Sequence, residues 1–126
     1  MTNHIHLIIG TKDQQMQYIL RDFKSFTSRI LKETIIKNYR ESRREWILAM
    51  MRKAGRNNPN NDQWQLWQQH NHPIELSTNF MIDQRLNYLH NNPVKAGYVT
   101  EPEHWLYSSA LDYCGKKGLL DIRFLN

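Results

Sequence analysis

Apolar and polar positions change period several times along the chain, and each change marks an element. Ile5, Leu7 and Ile9 alternate with His4, His6 and Ile8, a period of two that predicts a strand closed by Gly10. From about Asp13 to Asn38 the period becomes helical. Met16, Ile19, Phe23, Phe26, Ile30 and Ile35 form one apolar stripe, and Arg21, Lys24, Arg29, Lys32 and Lys37 face elsewhere. Ser42-Arg-Arg-Glu45 reads as a capping box that opens a second helix through Trp46, Ile47, Met50 and Met51, with Gly55 at its end. The Asn-rich stretch from Arg56 to Asp62 predicts a loop. Gln63 to Gln69 predicts a second strand, because Trp64, Leu66 and Gln68 share one face. Ser77 or Thr78 caps a third helix running to about Asn91, stopped by Pro93, with Gly97 in its exit turn. Tyr107 to Tyr113 reads as a short helix and Leu119 to Leu125 as a closing strand. No repeat, low-complexity tract or linker interrupts residues 1–126, so a single domain is expected.

Composition narrows the partners more than the fold. A chain of 126 residues suits one domain with a small core. Lys and Arg total 17 against 12 Asp and Glu, a formal net charge of +5, which favours an anionic partner such as nucleic acid. The aromatics include four Trp, numerous for so polar a chain, and some are available to stack on bases. The single cysteine, Cys114, excludes an internal disulfide and a thiolate zinc cluster and fits a reducing compartment. No apolar run approaches the roughly 20 residues of a membrane span, and no basic leader follows Met1. The expected location is therefore the cytoplasm, without membrane association.

The chemistry concentrates at His4-Ile-His6, Tyr88 and Asn92. In a strand, residues i and i+2 point to one face with Cα atoms roughly 6.5–7 Å apart, so both imidazoles can converge on one cation while Ile5 packs behind. Tyr88 and Asn92 lie one helical turn apart, about 40° around the axis. The Asn amide oxygen is a hard donor that suits Mg²⁺ or Mn²⁺ beside imidazole. Each pair alone has a plainer reading: an accidental surface His-x-His, and a half-buried aromatic with a helix-end Asn. His70-Asn-His72 is a second such pair, but its polar middle residue and Pro73 make it a loop. The basic positions Arg21, Lys24, Arg43 and Arg44 on the first two helices are expected to contact DNA phosphates, against the alternative of a solvated face.

The combination resembles a known family. Thr2-Asn-His-Ile-His-Leu7 is similar to the histidine-bearing strand of the HUH-superfamily single-tyrosine transposases. Tyr88-Leu-His-Asn-Asn-Pro-Val-Lys-Ala-Gly97 is similar to their catalytic helix and its exit, and Trp105-Leu-Tyr-Ser-Ser-Ala110 to the segment that follows. Within that superfamily the chain most resembles the insertion sequence 200-like enzymes, particularly the REP-associated tyrosine transposases. Phe23-Lys-Ser-Phe26 and Trp64 to Trp67 fit the same group. The resemblance implies an α+β fold, a ferredoxin-like antiparallel sheet with packed helices. It implies Tyr88 as nucleophile, and His4, His6 and Asn92 as ligands of Mg²⁺ or Mn²⁺. It implies nicking and rejoining of single-stranded or hairpin DNA through a 5′-phosphotyrosine, in a homodimer. Met1 stands where those enzymes have an internal methionine, so the domain is expected to lack their first strand and helix. Thr2 stands where they usually have Pro. The rival reading is a catalytically inactive DNA-binding remnant. A zinc hydrolase is weaker, for want of a nearby carboxylate ligand. No general base is evident, and His90 and His104 read as surface histidines.

Overall fold

The computed structural model describes residues 3–61 and 63–125. Among the described residues, four α-helices and one 3₁₀ turn form the regular structure: α1 (Met16–Lys37), α2 (Arg44–Arg56), α3 (Asn79–Lys95), the turn Pro102–His104, and α4 (Ala110–Tyr113). The chain divides into two compact units, Gly10–His72 and Met1–Ile9 with Pro73–Asn126. No helix among the described residues is long and apolar enough to cross a membrane.

The expected ferredoxin-like antiparallel sheet is not there. None of the three predicted strands is a strand among the described residues. Alternation is a local signal, whereas a strand exists only when a second segment supplies a ladder for its N–H and C=O groups. The 63–69 segment instead gives its Gln65 N–H to the Met51 carbonyl of α2 (3.0 Å). The C-terminal segment ties down through the Leu125 N–H, which donates to the Tyr113 hydroxyl (3.1 Å). Ile5, Leu7 and Ile9 stay 45–54 % exposed, with no sheet face to cover them.

In the unit Gly10–His72, α1 packs on α2. Leu48 and Met51 of α2 are buried, as is Gly55, which lies inside the helix rather than ending it. A Cβ on Gly55 would stand 2.3 Å from the Gln63 carbonyl carbon, so only glycine lets that backbone close on α2. The expected Ser42 cap is not made: α2 begins at Arg44 after Arg43, which makes no side-chain cap. Glu41 takes over locally, accepting from the Arg43 N–H (3.0 Å) and Nε (3.2 Å), and these bonds hold its carboxyl below the usual range. On α1 the predicted stripe is only partly inward. Phe26 and Ile30 are exposed, while Phe23 meets Trp67 (ring centroids 5.9 Å) and Thr27 accepts from Trp67 Nε1 (2.8 Å).

In the other unit, α3 and α4 both pack on the 3₁₀ turn. Thr78 caps α3 as its sequence position predicts, its Oγ1 accepting from the Met81 N–H (3.2 Å). Pro93 does not stop the helix, which runs on to Lys95. The break falls within the last turn, where few hydrogen bonds remain to lose. Gly97, at φ +76°, then reverses the chain: Tyr98 N–H reaches Pro93 O and Gly97 N–H reaches Val94 O, a Schellman exit.

Candidate active site

α3 presents Tyr88 and Asn92 one turn apart, and because the helix continues through Pro93 both lie within regular helix. Against them stand the two N-terminal histidines. The His4 and His6 rings meet edge-on with centroids 5.0 Å apart. The i, i+2 spacing thus brings them together without a paired strand. His6 also meets the Tyr88 ring edge-on at 5.5 Å. Its Nε2 lies 3.3 Å from Asn92 Nδ2, across 86 positions of sequence.

The tautomers follow from the partners. Asn3 Oδ1 lies 2.7 Å from His4 Nδ1 and accepts from it, so Nε2 is the ring nitrogen left to face a metal. Partial desolvation first, and the charge of His4 second, hold His6 below its ordinary pKa. Both effects favour the neutral imidazole, the form that binds a metal. His4 Nε2, His6 and the Asn92 amide oxygen, once that amide is turned to face inward, make a mixed nitrogen and oxygen donor set. That chemistry fits Mn²⁺ or Mg²⁺. Among the described residues no group of three or more His, Cys, Asp or Glu gathers, here or elsewhere; this cluster brings two histidines and an amide.

One residue of α3 joins this face without having been singled out from the sequence. Lys95 holds its Nζ 5.9 Å from the Tyr88 ring centroid. Its signal was the i+7 spacing, two turns along one face. Arg85, three residues before Tyr88, has its Nε buried without a hydrogen-bond partner.

His90 is not a surface histidine. It is 8 % exposed, its Nε2 lies 2.9 Å from Ser109 Oγ, and its ring meets Tyr113 at 5.2 Å. Burial lowers its pKa, and its contacts join α3 to α4 rather than reaching Tyr88. His104 is exposed, with Nδ1 3.2 Å from Thr100 Oγ1. The His70–His72 segment is a loop, with His72 at φ +48°.

The four basic positions of the other unit separate into two pairs. Arg21 and Lys24 line a groove along α1. Arg21 Nε also pairs with Asp22 (2.8 Å), and Lys24 Nζ donates to the Gln68 carbonyl (2.5 Å). Arg43 is bonded to Glu41, and Arg44 to Glu45 (2.6 Å) with its guanidinium 4.7 Å from the Tyr39 ring centroid; neither lines that groove. No family model, curated protein or solved structure matches the chain.

Proposed function

We propose that the protein nicks and rejoins single-stranded or hairpin DNA, with Tyr88 as the nucleophile. The observation that carries this reading is the meeting of His6 with both Tyr88 and Asn92, residues far apart in sequence whose types suit phosphoryl transfer. The resemblance to the single-tyrosine transposases supports the same assignment. Tyr88 Oη attacks phosphorus in line. A tyrosyl–phosphate bond forms, the P–O3′ bond breaks, and the phenolic proton passes through water to the leaving 3′ oxygen. Nothing is oxidised or reduced, and the ester keeps the phosphate reactive, so a new 3′-OH can reverse the step. Mg²⁺ or Mn²⁺ held by His4, His6 and Asn92 would polarise a non-bridging phosphate oxygen. Lys95 Nζ places a positive charge beside the attacking ring, where charge changes during transfer.

The test is denaturing electrophoresis of the protein incubated with end-labelled hairpin DNA and Mn²⁺, then peptide mapping of the adduct. The adduct is expected at Tyr88, absent in Tyr88→Phe and His6→Ala. Tyr88→Phe keeps the ring, so folding should shift by about 1 kcal/mol at most. An adduct on another tyrosine would overturn the assignment. DNA binding without any adduct in the unaltered chain would favour a non-catalytic DNA-binding protein instead.

A further inference from the structure

A groove of about 930 Å³ runs along α1 in the unit Gly10–His72, with residues 60, 61 and 63–69 as its opposite wall. Arg21, Lys24, Arg29 and Lys32 line one side, and no carboxylate lines it among the described residues. At 1.5 Å per residue these four cations span roughly 16 Å of helix, longer than one small anion. The facing wall is rich in primary amides, including Gln63, Gln68 and Gln69. Trp64 adds an aromatic face, with Lys32 Nζ at 5.3 Å and Arg52 Cζ at 4.6 Å from its ring centroid.

The wall is fixed rather than draped. Gly55 admits its backbone against α2, and the Gln65 N–H bonds to Met51 O. Trp67 Nε1 and Lys24 Nζ tie it to α1 through Thr27 Oγ1 and Gln68 O. Gln65 Oε1 accepts from Asn58 and Asn61 (2.8 and 2.9 Å), which holds the loop before it.

We propose that this groove binds a single strand of nucleic acid, with phosphates on the α1 cations and base edges on the amide wall. The substrate class rests on the proposed function. The site does not, because its residues lie outside the Tyr88 cluster. Charge alone would admit any polyanion, and the amides decide among them. Each offers a donor and an acceptor, as unpaired base edges do. An acidic peptide's carboxylates only accept, so its donors are limited to one backbone N–H per residue, fewer than an unpaired base edge presents beside its acceptors. A duplex keeps its Watson–Crick edges paired inside and offers the groove little but phosphate.

The experiment uses the full chain carrying Tyr88→Phe, in EDTA, so that binding is read without cleavage. Fluorescence anisotropy follows a labelled single strand of mixed sequence, the duplex of the same length, and polyglutamate as competitor. The single strand should bind at least tenfold tighter than the duplex and resist polyglutamate. Arg29→Gln with Lys32→Gln should weaken binding at least tenfold and flatten the plot of log affinity against log salt by about 1.4, two phosphate contacts at about 0.7 each. Lys116→Gln with Lys117→Gln, exposed cations of the other unit that do not line the groove, should leave affinity within twofold. Circular dichroism confirms that each variant keeps its helices. Equal affinity for duplex, effective competition by polyglutamate, or an unchanged Arg29/Lys32 variant would overturn the proposal. Groove-dependent binding with no adduct in the unaltered chain would sink only the nuclease reading. An adduct formed at Tyr88 by a protein whose binding ignores the groove would sink only this one.

Discussion

Asn92 offers His6 either a donor or an acceptor, depending on which way one amide faces. As placed, its Nδ2 lies 3.3 Å from His6 Nε2 and donates to it in the tautomer that carries its proton on Nδ1. Turned over, the amide puts its oxygen beside the same nitrogen, and the two become co-ligands of one cation. Lys95 sits close enough to Tyr88 to act on the transferred charge, and it is exposed. In a buried site, removing one such electrostatic donor costs roughly a hundredfold or more in rate. Solvent screening at an exposed lysine reduces this, so Lys95→Ala should slow adduct formation by about tenfold with little change in melting temperature. Lys95→Arg should restore most of the rate, since it returns the charge. An unchanged rate in the alanine variant, measured by single-turnover gel assay, would remove Lys95 from the site.

α3 is the element that both units of chemistry and folding in its half of the chain depend on. Thr78→Ala removes its cap and should cost about 1 kcal/mol of stability, read as a lower denaturant midpoint with an unchanged slope. At the joint with α4, His90 is held neutral by burial, so its folded pKa lies below the unfolded value. The unfolded chain therefore takes up the proton first. Stability should be flat above the unfolded pKa of about 6.5 and fall as pH drops through that value toward the lower folded one. His90→Gln should flatten that fall, and an unchanged pH profile by thermal melting would remove His90 as its source. How much of this was legible follows from which signals are local. The span of α1, the Thr78 cap and the Gly97 exit rest on residues within a turn or two, and the sequence displays them. So does the Tyr88–Asn92 spacing, which helix geometry dictates. His90 was misjudged because its burial needs α4 to return onto α3. The predicted strands failed because alternation is read within one segment, whereas a ladder requires a second one. The approach of His6 to Asn92 was implied only by resemblance, since no periodicity spans 86 positions.

At the scale of the whole molecule, surface exceeds what the fold can cover. A compact monomer of this mass exposes about 7,100 Å², and two independent units of half that mass expose about 8,600 Å² together. The chain exposes 10403 Å². The surplus over even the larger figure, roughly 1,800 Å², is more than the ~800 Å² each partner covers in a standard interface. Much of the exposed area is apolar: Leu7 is 54 % exposed, Phe80 75 %, Leu106 51 % and Leu120 76 %, all in the unit that carries Tyr88. Isolated apolar side chains at a surface are ordinary, but this many in a basic 126-residue chain favour a second copy as cover. A net charge of +5 opposes association only weakly at physiological salt, where screening acts over about 8 Å. We therefore propose a homodimer, and a two-fold pairing would bury the same residues on both copies. Light scattering coupled to size exclusion should give twice the 15.2 kDa chain mass. Phe80→Glu with Leu106→Glu should return the protein to monomer without loss of helix content. A monomer at high micromolar concentration in the unaltered chain, with adduct formation intact, would end the dimer proposal and show that one copy suffices for chemistry at Tyr88.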